Sequence, residues 1–206
     1  MLDTLAAPAT CDTEILLNAA NRETFIFDGP PGLEDGSFRV VLGEGGSGGG
    51  NGLVHVHPGS DEHFEVLKGR LRVEIAGAVH VVEAGQSVVV PRGAAHHFRN
   101  AHAGVTECRI RFSPPLRQRG FFRNFAWLAQ HRPHWFSEAG DPPLLLVALV
   151  LNAYPGHLYL AGPPIWLQRL LFAVLAPVAR WRGYGLAPGG DVSARSGDVI
   201  AWRGDA

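Results

Sequence analysis

Two histidines one residue apart, His55 and His57, stand in a short alternating run, and a glutamate, Glu62, follows across a turn-forming tetrapeptide. Successive side chains of a strand point to opposite faces, so Leu53, His55 and His57 are expected on one face. Two imidazoles placed that way can bind one ion. Pro58-Gly59-Ser60-Asp61 has turn composition and should return the chain antiparallel. Glu62 then opens the strand Glu62-His63-Phe64-Glu65-Val66-Leu67, in which Glu62, Phe64 and Val66 share a face. With that face inward, Glu62 lies beside the two histidines. The design recurs downstream: a strand Val88–Val90, a turn Pro91-Arg92-Gly93, then a strand with His96 and Phe98 on one face and His97 on the other. Three imidazoles and a carboxylate form a donor set of borderline hardness. Such a set suits Fe, Mn, Ni, Co or Cu in six-coordination, with open positions, better than Zn, which favours four ligands. The expectation is one divalent metal ion on His55, His57, Glu62 and His96 inside a β-barrel.

The spacing of these residues is familiar. Gly49-x5-His55-x-His57-x4-Glu62-x6-Gly69 resembles the first motif of the cupin superfamily, and Gly85-x5-Pro91-x-Gly93-x2-His96-x3-Asn100 resembles the second. Every fixed position of both is filled. The resemblance implies a mainly β protein, a double-stranded β-helix or jelly-roll barrel, with metal held by His55, His57, Glu62 and His96. With flanking strands it extends over residues 22–113. Proteins of this kind often dimerise, so a homodimer is implied as well. A superfamily hosting many chemistries does not name a reaction.

The strands around the motifs follow the same alternation. Thr24–Phe27 and Phe38–Leu42 are expected strands, and Leu71, Val73 and Ile75 should face inward with Arg70, Arg72 and Glu74 outward. His80–Glu83 forms another, and Thr106, Cys108, Ile110 and Phe112 make one apolar face. The glycine-rich stretch Gly43–Gly52 lacks the Gly-Lys-Ser/Thr of a phosphate loop and is expected to be a flexible connection. Residues 1–21 are expected to form an arm with one short helix around Thr13–Ala20.

From Ser113-Pro114-Pro115 the periodicity changes. Phe121, Phe122, Phe125 and Leu128 recur at helical spacing and predict an amphipathic helix over Leu116–Gln130. Pro142–Leu151 predicts a second helix, and Ile165–Arg182 a third, interrupted at Pro177. The organisation expected is an arm at 1–21, a barrel at 22–113, a C-terminal α-helical lobe at 114–183 and a disordered tail at 184–206. No Asp, Glu, Lys or Arg occurs from Pro142 to Gln168, yet prolines, glycines and polar residues break the run short of a membrane span. The lobe is expected to bury its apolar face on the barrel or a second subunit. Membrane-surface contact through 142–182 is the alternative, using Trp166, Leu170, Phe172, Val174 and Trp181 with Arg169, Arg180 and Arg182.

Net charge is −1, which gives no basic footprint for nucleic acid. Two cysteines, Cys11 and Cys108, make no disulfide framework. The N-terminal residues lack a basic segment followed by a long apolar run, so a cytoplasmic location is expected, with peripheral membrane association as the variant. His63, Glu65, Arg72, Glu74 and His97 point away from the metal face by strand parity. His80 and Glu83 are read as surface groups, as are His131 and His134. Phe64, Phe98, Val66, Val73 and Ile75 are read as an apolar lining. With no second acid or base in view, two functions remain. One is a metal-dependent dioxygenase-type oxidoreductase acting on a small molecule. The other is a non-catalytic module that binds or senses a small-molecule ligand.

Overall fold

The computed structural model describes residues 12–30, 32–47 and 53–190. The alternating segments pair as eleven strands among the described residues: β1 Thr13–Asn18, β2 Glu23–Asp28, β3 Ser37–Leu42, β4 His55–Val56, β5 Asp61–Lys68, β6 Arg70–Ile75, β7 Ala78–Glu83, β8 Ser87–Val90, β9 His96–Asn100, β10 Thr106–Ser113 and β11 Tyr159–Leu160. Three α-helices follow the barrel strands: α1 Gln118–His131, α2 Leu144–Ala153 and α3 Ile165–Trp181. The strands form two antiparallel sheets, ordered β1-β2-β3-β10-β5-β8 and β11-β4-β9-β6-β7. This is the expected jelly-roll with a C-terminal helical part.

The sheets close on one another through their alternating apolar faces. Phe64, Val66, Leu71, Val73 and Cys108 are wholly buried, and Thr106, Ile110 and Phe112 follow on the same face of β10. Burial pushes the Cys108 thiol up to about 12, so it packs as a small inert side chain. Asn100, the last residue of the second motif, ties the ends of four segments. Its side-chain nitrogen lies 3.2, 2.7 and 2.7 Å from the carbonyls of Leu42, Gly43 and Gly104. Its oxygen accepts from the His102 amide at 2.8 Å and the Thr106 hydroxyl at 2.6 Å.

Several expectations need correction. The short helix around Thr13–Ala20 is strand β1. Leu16 is buried opposite Phe25 while Ile15 and Leu17 are exposed, so period-two pairing with β2 overrides local propensity. Residues 13–18 therefore belong to the sheet and 19–21 form the turn into β2; residues 1–11 of the expected arm lie outside the described residues, as do Gly48–Gly52. The turn after His57 does not close a hairpin. β4 pairs with β9 and β11, whereas β5 pairs with β10 and β8 in the other sheet. Residues 57–60 thus cross between sheets, and residues 91–95 make a second crossing from β8 to β9. The expected disordered tail begins too early. Ala187 is buried and donates its amide to Asn124 Oδ1 at 2.8 Å, and Pro188 accepts from Arg123 at 3.0 Å; residues 191–206 are outside the described set. Pro177 does not interrupt α3, which runs through it. Ala173, whose carbonyl loses a bond to that proline, is exposed and can meet water.

Among the described residues, no helix is long and apolar enough to cross a membrane. Instead α1 lies against β1, β2 and β3 of the barrel, and α2 packs on α3. Phe122 of α1 packs tilted on Phe38 and stacked on Phe112, with centroids 5.0 and 5.6 Å apart. α2 is buried through Leu146, Ala148, Leu149, Val150 and Leu151. β11, which sequence periodicity could not reveal in two residues, pairs Leu160 with His55 and Tyr159 with Val56. The helical part thereby adds an edge strand to the barrel. Asn100→Ala leaves three carbonyls, an amide and a hydroxyl without their common partner and is expected to cost about 2–4 kcal/mol, measured by urea unfolding.

Candidate metal centre

Each ligand candidate sits at the end of a sheet crossing. His55 lies in β4 and His57 just after it; Glu62 is the second residue of β5, and His96 the first of β9. His55 is directly opposite His96 in the sheet. β4 is only two residues long, so the alternation does not reach Leu53, which is exposed rather than on the histidine face. The four side chains are 1–3% exposed, and one ligand atom from each lies within 4.8 Å of all the others. Ring centroids are 4.3 Å apart for His55 and His96, 5.0 Å for His55 and His57, and 5.3 Å for His57 and His96. Donors each about 2.1 Å from one ion would stand at separations of this order.

Every imidazole is oriented by a backbone carbonyl. His55 Nδ1 faces Leu53 O at 2.8 Å and His96 Nδ1 faces Ala94 O at 2.9 Å. His57 Nδ1 faces His157 O in a short contact. A carbonyl only accepts, so each Nδ1 carries the hydrogen when the ring is neutral. The lone pair is then on Nε2, aimed at the other ligands. This is the outer-shell pattern that fixes tautomer and ring angle at metal sites. His57 Nε2 and Glu62 Oε1 are buried with no hydrogen-bond partner. Such atoms are costly unless a cation meets them. The donor set and the orphaned atoms together fit a metal ion.

The electrostatics agree. Burial pushes the His55 pKa down to about 3, with His96 adding to the shift. Burial, then His55 and His96, hold His57 well below the ordinary histidine value. Both rings are neutral ligands at neutral pH. For His96 burial opposes the proton, but the hydrogen bond and charge of Glu62, 2.8 Å away, outweigh it and raise the pKa. Glu62 Oε2 also lies 3.6 Å from His57 Nε2.

The other histidines and acids fall where strand parity put them. His97 sits near Glu74 at 3.9 Å on the outer face, Glu83 pairs with Arg70 at 2.8 Å, and His80, His131 and His134 are exposed. His63 is partly buried on the outer face of β5. Phe64 and Phe98 pack on one another at 5.0 Å; the rings that touch the cluster are Phe112 and Phe122, 5.0 and 6.2 Å from His57. The residue that sequence reasoning missed is His157. It contributes a carbonyl, which no side-chain pattern announces. That carbonyl also accepts from Gln118 Nε2 at 3.2 Å. His157's own ring takes the Arg117 amide on Nε2 at 3.1 Å and gives Nδ1–H to Pro155 O at 3.1 Å. A cavity of about 100 Å³ adjoins the cluster through Phe122 and Leu53. Its lining is mostly aromatic and aliphatic, with Asn18, Asn21 and Glu23 as polar groups; Asn21 Oδ1 is buried without a partner.

With this geometry in place, the sequence comparison is decisive: the cupin-domain profile matches residues 38–110. The chain carries a cupin domain. Polyketide synthase CurC of Streptomyces cyaneus is 38% identical to this cupin over 58 residues, 28% of this chain and 36% of that protein. Protein SchB of Streptomyces halstedii is 34% identical over 58 residues, 28% of this chain and 41% of that one. The matched stretch spans well under half the length of either relative. The cupin domain of Drosophila melanogaster CENP-C superposes with a TM-score of 0.38 at 12% identity, covering 49% of this chain and 75% of that one. TT1209 of Thermus thermophilus gives 0.34 at 22% identity, covering 52% and 85%. A Streptomyces PAC13 variant with uridine gives 0.37 at 12% identity, covering 52% and 83%.

The buried neutral histidines predict an acid-sensitive fold. Burial lowers the His157 pKa to about 4, so this residue's contribution is present above its unfolded value of 6.5 and is lost as pH falls toward 4. The loss is on the order of 3 kcal/mol. In chelator-treated protein the stability gap between wild type and His157→Gln should narrow over that range in urea titrations. A gap constant with pH would contradict the assignment.

Proposed function

We propose that this cupin holds one divalent metal ion on His55, His57, Glu62 and His96 and acts as a dioxygenase-type oxidoreductase on a small enolisable carbonyl compound. One observation carries the reading: three Nε2 lone pairs and a carboxylate converge in a buried site that contains no other available acid or base among the described residues. His157, whose carbonyl meets His57, is titratable, but both its ring nitrogens are already engaged.

A redox-active divalent ion supplies Lewis acidity and one-electron chemistry with dioxygen. The protein's own part is positional. Three neutral imidazoles and one carboxylate leave the centre a net single positive charge, which favours an enolate oxygen. The carbonyls of Leu53, Ala94 and His157 keep the imidazoles from turning. Phe112 and Phe122 exclude water beside His57 and present an apolar wall. The adjoining cavity accepts a flat apolar group, and Asn21 Oδ1 offers an acceptor to a hydroxyl. The name of the Streptomyces cyaneus relative adds polyketides, which are chains of enolisable carbonyls, to the candidate substrates. Fe, Mn, Ni, Co or Cu suits the donor set better than Zn.

A second reading has its own support. All four ligands are almost fully buried, and none of them lines the cavity. A closed centre fits a non-catalytic module whose metal fixes a ligand-binding barrel. The two readings part on turnover. Elemental analysis should give about one metal per chain, falling in His55→Ala and in Glu62→Gln. Gln118→Leu, which loosens the carbonyl behind His57, should lower metal affinity about tenfold. Metal-loaded protein should consume oxygen with β-diketones or catechols, and Glu62→Gln should lose at least about a hundredfold of that rate. Metal-dependent ligand binding without oxygen uptake would replace the first reading by the second.

A further inference from the structure

α3 is attached to the molecule by a narrow stripe and is bare elsewhere. Only Gln168, Phe172, Ala176 and Ala179 are buried. Gln168 pins the helix to β11: it donates to Leu160 O and Pro163 O at 2.9 and 2.8 Å and accepts from the Leu160 amide at 3.0 Å. The opposite face carries Trp166, Leu170, Val174 and Trp181, which are 67, 58, 61 and 79% exposed. Leu167, Leu171 and Val178 widen it. Contiguous apolar area of this kind marks an interaction surface. The expected membrane-facing set changes in one respect: Phe172 points inward and belongs to the core. α2 is not part of the surface, since most of its apolar residues are covered.

Charge selects the occupant. No Asp or Glu occurs from Pro142 to Gly190, while Arg169, Arg180 and Arg182 do. At 100° per residue, Arg169 and Arg180 fall together on one flank of the bare face. Arg182 follows the helix end, its guanidinium 5.4 Å from the Trp181 ring. The exposed Arg169 and Arg182 set positive charge beside the apolar face, and neither α2 nor α3 carries a carboxylate. Anionic headgroups offset that charge directly. Tryptophans near both ends of an exposed apolar face are placed as interfacial anchors. We infer that the outer face of α3 lies in the plane of an anionic phospholipid surface, with its arginines among the headgroup phosphates. This docking does not depend on the metal or on any reaction.

The test is flotation of the full chain with vesicles of phosphatidylcholine alone and of phosphatidylcholine mixed equally with phosphatidylglycerol. Binding is expected to the mixed vesicles only, and high salt should weaken it. Leu170→Asp with Val174→Asp should abolish it. Arg169→Gln and Arg182→Gln should each reduce partitioning about fivefold; being exposed polar changes, they test the idea even if the aspartates disturb folding. Failure to float with anionic vesicles overturns the inference. So does flotation indifferent to all four substitutions, or a concentration-dependent dimer that Leu170→Asp dissolves while no vesicle binding is seen.

Discussion

Three backbone carbonyls decide what the centre can be. Leu53, Ala94 and His157 each hold an imidazole by Nδ1, and a neutral ring held that way has only its Nε2 lone pair left to offer. Three such lone pairs then share a dry space with one carboxylate. A proton on His96 satisfies one oxygen of Glu62, but His57 Nε2 and Glu62 Oε1 stay unpaired. Unmet buried polar atoms cost roughly 1–3 kcal/mol each. A cation meets them together. The depressed pKa values of His55 and His57 have the same origin and a useful consequence: no proton has to leave those rings before a metal binds near neutral pH.

The carbonyls are in place because of two of the chain's crossings between sheets, β4 to β5 and β8 to β9. His55 and His57 precede one crossing and Glu62 follows it, while His96 follows the other. Strand ends from both sheets are therefore brought to one end of the barrel interior. The helical part is equally involved. β11 pairs with β4 and fixes the strand bearing His55. The loop before β11 supplies the carbonyl for His57, and Gln118 and Arg117 at the start of α1 hold that loop. Removing the helices would therefore leave His57 free to rotate, even with every ligand still present.

What the sequence could express, it expressed through side chains. Alternation located β2, β3, β5, β6 and β10 because each has one face in the core. Helical spacing located α1 because it buries a stripe, whereas an apolar run marked α2 and a proline pair marked the start of α3. The motif spacing brought His55, His57, Glu62 and His96 together. Other features have no side-chain signature. β11 is two residues long, too short for a period to exist. The His157 carbonyl is backbone, and any residue could provide it. The destination of the turn at Pro58–Asp61 depends on which sheet the next strand joins, which is a matter of tertiary pairing rather than turn chemistry. β1 reads as a helix because Leu16 and Leu17 fit a helix as well as a strand until Phe25 is set opposite Leu16.

The remaining question is how a closed centre meets a ligand. The path through the structure is continuous: His57 rests on Phe122, Phe122 walls the cavity, Val147 and Leu151 of α2 line its far side, and α2 packs on α3 through Leu149, Ala176 and Ala179. Rotation of the Phe122 ring would open the cavity onto the imidazole without breaking any hydrogen bond that orients a ligand. Opening from the solvent-facing side of β5 would instead disrupt a fully paired strand, since β10 and β8 both bond it. The low-cost route is therefore on the helical side.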